Sequence, residues 1–552
     1  MDTTLTTQAR HWLQDDPHEP TRRQLEDLIA AVESGDSQAA EELADAFRGR
    51  LEFGTAGLRG KVGPGPNRMN LVVVARAAAG LATYLNTHGG GTVVIGHDAR
   101  HGSELFADAS ARILTGAGLD VVMLPAHLPT PLLAFSIRHL GCAAGIMVTA
   151  SHNPAPDNGY KVYLGDGMQI VPPADADISA FIDQVTLSGP VASLPHGDSW
   201  TTLGDDVVEA YVAQTITLIE AGNPLLVRTA YTPLHGVGGQ TFLRTMAAAG
   251  LPAPAVVTSQ FEPDPDFGGM PFPNPEESGV MDAVLSLAAQ EDCDLAIAHD
   301  PDADRCAFGV PAPGGWRMLT GDEVGWLLGW WIAAGNRRFT GRNVFAQSIV
   351  SGTMLEAIAE DAGLVYARTL TGFKWIARVP DLAYGYEEAL GYCVHPTVVS
   401  DKDGISAALM MAELVGRLAE RGTSVLEILD ELAERHGVYA TSQVSVRHAD
   451  PAHIGSLMTR LREQPPASFG GLTVIGLDDL EHPADGLPPT DGLRFILADG
   501  GRVIVRPSGT EAKVKSYLQV RVPVEDGDLR AARSEAERRL GELSIAIGGL
   551  LT

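Results

Sequence analysis

The chain has 552 residues, 45% hydrophobic and 20% charged, an ordinary globular composition with length for about three to five domains. Forty Lys+Arg against 69 Asp+Glu give a net charge of −29, which argues against docking on nucleic acid or on anionic lipid. The longest strongly apolar run, Val324 to Gly335, has 12 residues and is too short to cross a bilayer. The polar N-terminus lacks the basic-then-apolar order of a signal peptide. Cys142, Cys293, Cys306 and Cys393 are too scattered for a disulfide framework or a zinc site. A cytoplasmic, soluble protein with free, buried thiols is expected.

The first ~50 residues read as helical. Thr21 followed by Gln24 matches a capping box, and Leu25, Leu28, Ile29 and Val32 share one helical face. An internal similarity then sets the architecture. Thr92–Ile95 reads as a strand, followed by a loop, a helix from Ser103, the tripeptide Ala117-Gly118-Leu119 and a strand at Val121–Leu124. The same order recurs from Leu225–Tyr231 through Ala249-Gly250-Leu251 to Val256–Thr258. It recurs again from Asn343–Val350 through Ala362-Gly363-Leu364 to Val365–Thr369. Glycine closes a helix by adopting a left-handed conformation, and the following Leu turns back onto it. Strand–helix–strand units predict sheets with parallel pairs, so three related α/β domains are expected in series. A helical stretch ends near Gly437. Beyond it, short strands, loops and an Arg-rich helix from Leu529 point to a smaller α+β domain. The expected domains are 1–205, with the helical extension, then 206–318, 319–440 and 441–552.

Four loops carry chemistry. In Thr149-Ala150-Ser151-His152-Asn153-Pro154, which follows an apolar strand, Ser151 is a candidate nucleophile and His152 a candidate base, with Lys161 ten residues on. In Asp300-Pro301-Asp302-Ala303-Asp304-Arg305, three carboxylates at alternate positions repel one another unless a cation joins them. Hard oxygen donors suit Mg²⁺ or Ca²⁺. An EF-hand is excluded, because its sixth position holds Arg305 and its twelfth Pro311. In Gly385-Tyr386-Glu387-Glu388-Ala389-Leu390-Gly391, Glu387 and Glu388 are candidates for accepting sugar hydroxyls, and Lys402 follows in SDKDG. In Arg506-Pro507-Ser508-Gly509-Thr510-Glu511, a guanidinium fork, two hydroxyls and the amides around Gly509 form a candidate phosphate clamp.

In this order the four loops resemble the α-D-phosphohexomutase family of phosphoglucomutases and phosphomannomutases over about residues 50–520. FGTAGLRG near the start, GHDAR and TGFKW are similar to further stretches of that family. The resemblance implies four domains around a central cleft, the first three of one α/β/α mixed-sheet fold and the fourth a smaller α+β domain. It implies interconversion of hexose 1-phosphate and hexose 6-phosphate, glucose foremost, with mannose or pentose phosphates as alternatives. Ser151 would be phosphorylated, and Asp300, Asp302 and Asp304 would hold Mg²⁺ with a phosphoserine oxygen. Arg305, Arg59 and Lys161 would line the transfer site, with Lys161 or His152 as general acid/base. Glu387 and Glu388 would meet the sugar; Lys402, Arg506, Ser508, Gly509 and Thr510 would hold the non-reacting phosphate. A sugar 1,6-bisphosphate would be intermediate and activator. Ala389 stands where the family's common sugar loop has Ser, a variant similar to the long branch that includes phosphopentomutases and sugar-bisphosphate synthases. The competing readings are a phosphatase with an aspartate nucleophile at Asp300 and a non-catalytic sugar-phosphate or cation binder. On the mutase reading the −29 charge hides a local reversal, with Arg59, Lys161, Arg305, Lys402 and Arg506 gathered against one acidic cluster.

Overall fold

The computed structural model describes residues 3–54, 57–219, 226–336, 341–447, 451–507 and 513–551. The described chain divides into two compact units, 1–318 with 391–413, and 319–390 with 414–552.

The first unit opens with the helices Thr3–Asp15, Glu19–Glu33 and Ser37–Ala46. They pack through Ala9, Leu25, Ile29, Val32, Ala39 and Leu43, with Leu28 at the edge of the cluster. The expected capping box is absent. Pro20, which suits a first helical turn, lets the helix begin at Glu19, with His18 at the cap. The Thr21 hydroxyl donates to Asp16 Oδ2 at 2.7 Å. Asp15 secures the extension, accepting from Arg76 at 2.7 Å and from the Val191 amide at 2.6 Å.

The first sheet runs in the order Leu58–Lys61, Asp157–Leu164, Ala144–Val148, Thr92–His97, Asp120–Met123, Thr201–Thr202. Its pairs are parallel from Ala144–Val148 onward and antiparallel on the other side. The second sheet repeats this plan: Gly315–Met318, Cys306–Ala312, Leu295–His299, Thr229–Thr232, Ala255–Val256, parallel over the last three. In the second unit, Val344–Ser348 pairs in parallel with Val365–Thr369 on one side and Leu382–Glu387 on the other. The expected start of the second repeat at Leu225 lies outside the described residues.

The three helix ends are the same structure. Gly118, Gly250 and Gly363 have φ of 85°, 73° and 66°. The amides of Leu119, Leu251 and Leu364 then return to Leu114 O, Met246 O and Ala359 O at 3.1, 3.1 and 2.8 Å. This is the bond pattern that satisfies the last free carbonyls of a helix. In each repeat the third strand of the unit, Ala144–Val148, Leu295–His299 or Leu382–Glu387, delivers one of the polar loops at its carboxyl end.

The last domain is an antiparallel sheet in the order Val438–Arg447, Lys513–Val522, Arg502–Pro507, Leu493–Leu497, Leu472–Asp479, Ser468–Phe469. Its core joins Leu457, Leu461, Phe495, Val503 and Leu518 to Leu543 and Ile547 of the Leu529–Leu551 helix. Its strands are not all short as expected, since the first two pair over ten residues each. The expected border at 440/441 falls within the Val438–Arg447 strand, whose pairing begins at Val438. The four cysteines are free and buried. Among the described residues no helix is long and apolar enough to cross a membrane.

Candidate active site

The Ala144–Val148 strand is buried throughout and runs directly into the Ser151 turn. Ser151 itself is buried and takes a left-handed φ of 54°, rare for a residue with a side chain. Its amide donates to Thr149 Oγ1 at 3.0 Å, and its hydroxyl donates to Asp300 Oδ2 at 2.8 Å. His152 Nδ1 is 3.3 Å from Ser151 Oγ. The serine and the acidic loop, 149 residues apart in sequence, thus meet at one point.

Asp300, Asp302 and Asp304 are all buried, and one ligand oxygen from each lies within 4.8 Å of the others. Asp300 Oδ1 accepts from the Arg305 amide at 3.0 Å. Asp302 Oδ2 accepts from Lys161 Nζ at 2.7 Å and from Thr130 Oγ1 at 2.5 Å. Asp304 Oδ2 accepts from Lys161 Nζ at 2.9 Å and lies 3.2 Å from Lys402 Nζ. The Oδ1 atoms of Asp302 and Asp304 are buried and accept no hydrogen bond among the described residues; Arg305 Nε is 3.7 Å from the latter. Buried carboxylate oxygens in this state are the donor set a hard divalent cation needs, so the triad fits a metal.

Burial and charge divide the triad. Burial and the neighbouring Asp302 and Asp304 push the Asp300 carboxyl well above its usual range. Burial acts the same way on Asp304, but Lys161, Lys402 and Arg305 outweigh it and hold that carboxyl well below its usual range. Burial pulls the Lys161 ammonium down, and Asp302 and Asp304 more than offset it, so Lys161 stays charged. Burial, then Arg305 and Arg59, keep the His152 imidazole neutral, far below its ordinary value.

Arg59 donates to Asn153 Oδ1 at 3.3 Å, in the Ser151 loop. Lys402, expected beside the non-reacting phosphate, reaches the acidic loop, with Asp401 Oδ1 also 3.3 Å away. Gly404 explains how this segment comes so close. Its amide donates to Ala303 O at 3.2 Å, and a Cβ there would stand 2.4 Å from Arg305 O. The next carboxylate, Asp403, accepts from the Tyr211 hydroxyl at 2.9 Å, and burial pushes it up to about 6.

The second unit holds the glutamates. Glu387 Oε1 accepts from the Gly372 amide at 2.7 Å, in the TGFKW stretch, and Arg506 donates to the neighbouring Thr371 hydroxyl. Glu388 Oε2 accepts from Ser351 Oγ at 2.7 Å. Burial, then the Glu387 charge, push Glu388 up to about 7. Ser508, Gly509 and Thr510 lie outside the described residues. The sequence reading overlooked Thr130, Ser351 and Thr371. Each is a hydroxyl whose partner is far away in the chain; only the threonine beside Gly372 carried a signal, through TGFKW.

Models of the phosphoglucomutase/phosphomannomutase family match four successive parts of the chain. Alpha/beta/alpha domain I matches at 50–188, domain II at 209–314, domain III at 320–436 and the C-terminal domain at 463–539. Relatives that match over most of this chain are named as mutases, and the chain is an enzyme of that class, one that transfers a group within its substrate. The chain belongs to the phosphoglucomutase/phosphomannomutase family. A Haemophilus influenzae protein named "Probable phosphomannomutase" is 45% identical over 461 residues, covering 82% of this chain and 93% of its own. Human phosphopentomutase is 32% identical over 600 residues, covering 99% of this chain and 95% of its own. A crystal structure of a Burkholderia thailandensis phosphoglucomutase/phosphomannomutase family protein matches at TM-score 0.69 and 20% identity, a likeness of fold. It covers 89% of this chain and 97% of that one.

Proposed function

We propose that the protein moves a phosphoryl group between the 1-hydroxyl and the 6-hydroxyl of a hexose phosphate, glucose foremost, through phosphorylated Ser151 and a bound sugar 1,6-bisphosphate. The observation that carries this reading is the Ser151 hydroxyl, buried and 2.8 Å from Asp300 at the edge of the carboxylate triad. A phosphoryl group on Oγ adds about −1.5 to −2 charge at neutral pH. Lys161, Lys402, Arg305 and Arg59 would offset that charge. Asp300, Asp302 and Asp304, with a phosphoserine oxygen, would hold Mg²⁺, which when bound neutralises further charge and polarises the phosphoryl group.

In the first half-reaction a sugar hydroxyl attacks phosphorus. The P–Oγ bond breaks, a P–O(sugar) bond forms, and the hydroxyl proton passes to Ser151 Oγ. His152 would carry that proton, a reading supported by its 3.3 Å distance from Oγ and its neutral imidazole, whereas Lys161 pairs with two aspartates. The bisphosphate turns over, and its other phosphate returns to Ser151 by the reverse step. Glu387 and Glu388 would accept sugar hydroxyls, and Arg506, Ser508, Gly509 and Thr510 would hold the phosphate that is not reacting. Lys402 would serve the transfer end, since it pairs with Asp304. A pentose phosphate is the second reading, favoured by Ala389 in the sugar loop and by the likeness to human phosphopentomutase.

The test is Ser151→Ala assayed on glucose-, mannose- and ribose-1-phosphates with a hexose bisphosphate activator. Turnover should fall by at least about a thousandfold, while sugar phosphate still binds by calorimetry. Intact mass should show an addition of about 80 Da on the wild type and none on the variant. Undiminished turnover by the alanine variant sinks the reading.

A further inference from the structure

The Gly96–Arg100 stretch carries no part of the chemistry above, yet its arginine touches the Ser151 loop more than any other side chain described. Arg100 is buried, just past the Thr92–His97 strand. Its Nη2 donates to Ser151 O and Asn153 O, each at 2.6 Å. Its Nη1 donates to Pro154 O at 2.9 Å and Asp157 O at 3.1 Å. One planar guanidinium therefore gathers three carbonyls of the loop and that of Asp157, where the next strand begins. Asp98 aims it, with Oδ2 3.3 Å from Nε and Oδ1 accepting the Arg100 amide at 3.0 Å. The ring of Phe267 lies 4.7 Å from the guanidinium carbon.

These contacts answer a conformational problem. Ser151 sits at φ 54°, a conformation that a residue with a Cβ keeps only where its surroundings over-determine it. The loop carbonyls also need donors once buried. A lysine offers one nitrogen and cannot span two pairs of carbonyls as a forked guanidinium does. We propose that Arg100 is a positioning residue for phosphoryl transfer: it holds the Ser151 turn in its left-handed form, so that Oγ and the group it carries stay aimed at the acidic loop. Phe267, from the second domain, packs its buried ring against the guanidinium. The proposal rests on the reading of Ser151 as the phosphoryl carrier.

The experiment compares wild type, Arg100→Lys and Phe267→Leu for kcat, KM, melting temperature and the rate at which sugar phosphate removes the 80-Da addition (about 80 Da, one phosphoryl group). Arg100→Lys should lower kcat by about ten- to a hundredfold, the scale of a misaimed reacting group, with KM within about twofold. Its phosphoserine should form but discharge slowly to sugar. Phe267→Leu, which leaves every Arg100 hydrogen bond in reach, should lower kcat by about two- to fivefold with KM kept. The proposal is overturned if Arg100→Lys keeps kcat within twofold (about experimental scatter) or if its loss equals the unfolded fraction at the assay temperature. Should Arg100→Lys not fold, Phe267→Leu decides, and an unchanged kcat there overturns the proposal. A wild type that is active yet never carries the added mass overturns the Ser151 reading itself, a different failure.

Discussion

The acidic loop of the first unit buries its carboxylates and the second unit half-buries its glutamate pair, and they ionise differently. Asp304 lies between Lys161 and Lys402, and those ammonium groups overcome burial to keep it charged. Glu388 Oε2 has the neutral Ser351 hydroxyl as its donor, and burial with the Glu387 charge pushes it up to about 7. Asp322, nearby in the same unit, behaves like Glu388. It accepts from the Gly352 amide at 2.6 Å, the Thr441 hydroxyl at 2.8 Å and the Tyr386 hydroxyl at 3.0 Å, and burial still raises it. Neutral donors soften desolvation, whereas full opposite charges reverse it. Asp304 is thereby held anionic beside cations, whereas Glu388 changes protonation near neutral pH.

Removing the charge from the first region should have the largest effect. Asp304→Asn leaves two buried ammonium groups short of an anion and should cost about 3–5 kcal/mol in urea denaturation. A cost below about 1 kcal/mol would mean that the ion pairs are not what settles Asp304. The next effect is pH-dependent. Glu388 has a folded value of about 7 against 4.5 for the free group, so the folded state binds the proton more tightly. Its contribution to stability is full below pH 4.5, falls as pH rises through the window up to about 7, and is gone above it. Glu388→Gln should remove this decline. Between pH 4.5 and 8 the wild type should lose roughly 1–3 kcal/mol relative to the variant, as read from denaturation curves at both ends. Parallel curves at the two pH values would show Glu388 to be an ordinary carboxylate. The smallest change is Ser351→Ala, which takes one neutral donor from Glu388 while the Arg502 bond to the Ser351 carbonyl can persist. A loss of about 1 kcal/mol is expected by the same measurement. A loss as large as that of Asp304→Asn would erase the distinction between neutral and charged partners.

The sequence by itself determined whatever local sterics and spacing control. Ala-Gly-Leu announced three helix ends because a glycine at left-handed φ closes a helix wherever it occurs, and the structure repeats one bond pattern at all three. The acidic loop was legible because three carboxylates at alternate positions are hard to explain without a cation. The Thr21 capping box misled, because Pro20 also specifies a helix start and lies one position earlier. Tertiary structure alone decided which partners those loops acquire. Thr130 lies 172 residues from the Asp302 it contacts, and nothing near it in sequence points there; Lys161, 141 residues away, is expected at this site through the family resemblance alone. Lys402 serves Asp304 because Gly404 lets its backbone pass against that of Arg305. Arg100 grips the Ser151 loop because adjacent parallel strands, Thr92–His97 and Ala144–Val148, end side by side. A strand's composition announces that it ends in a loop. Which loop lies beside it depends on the pairing of sheets, and that is settled by burial summed over the whole domain.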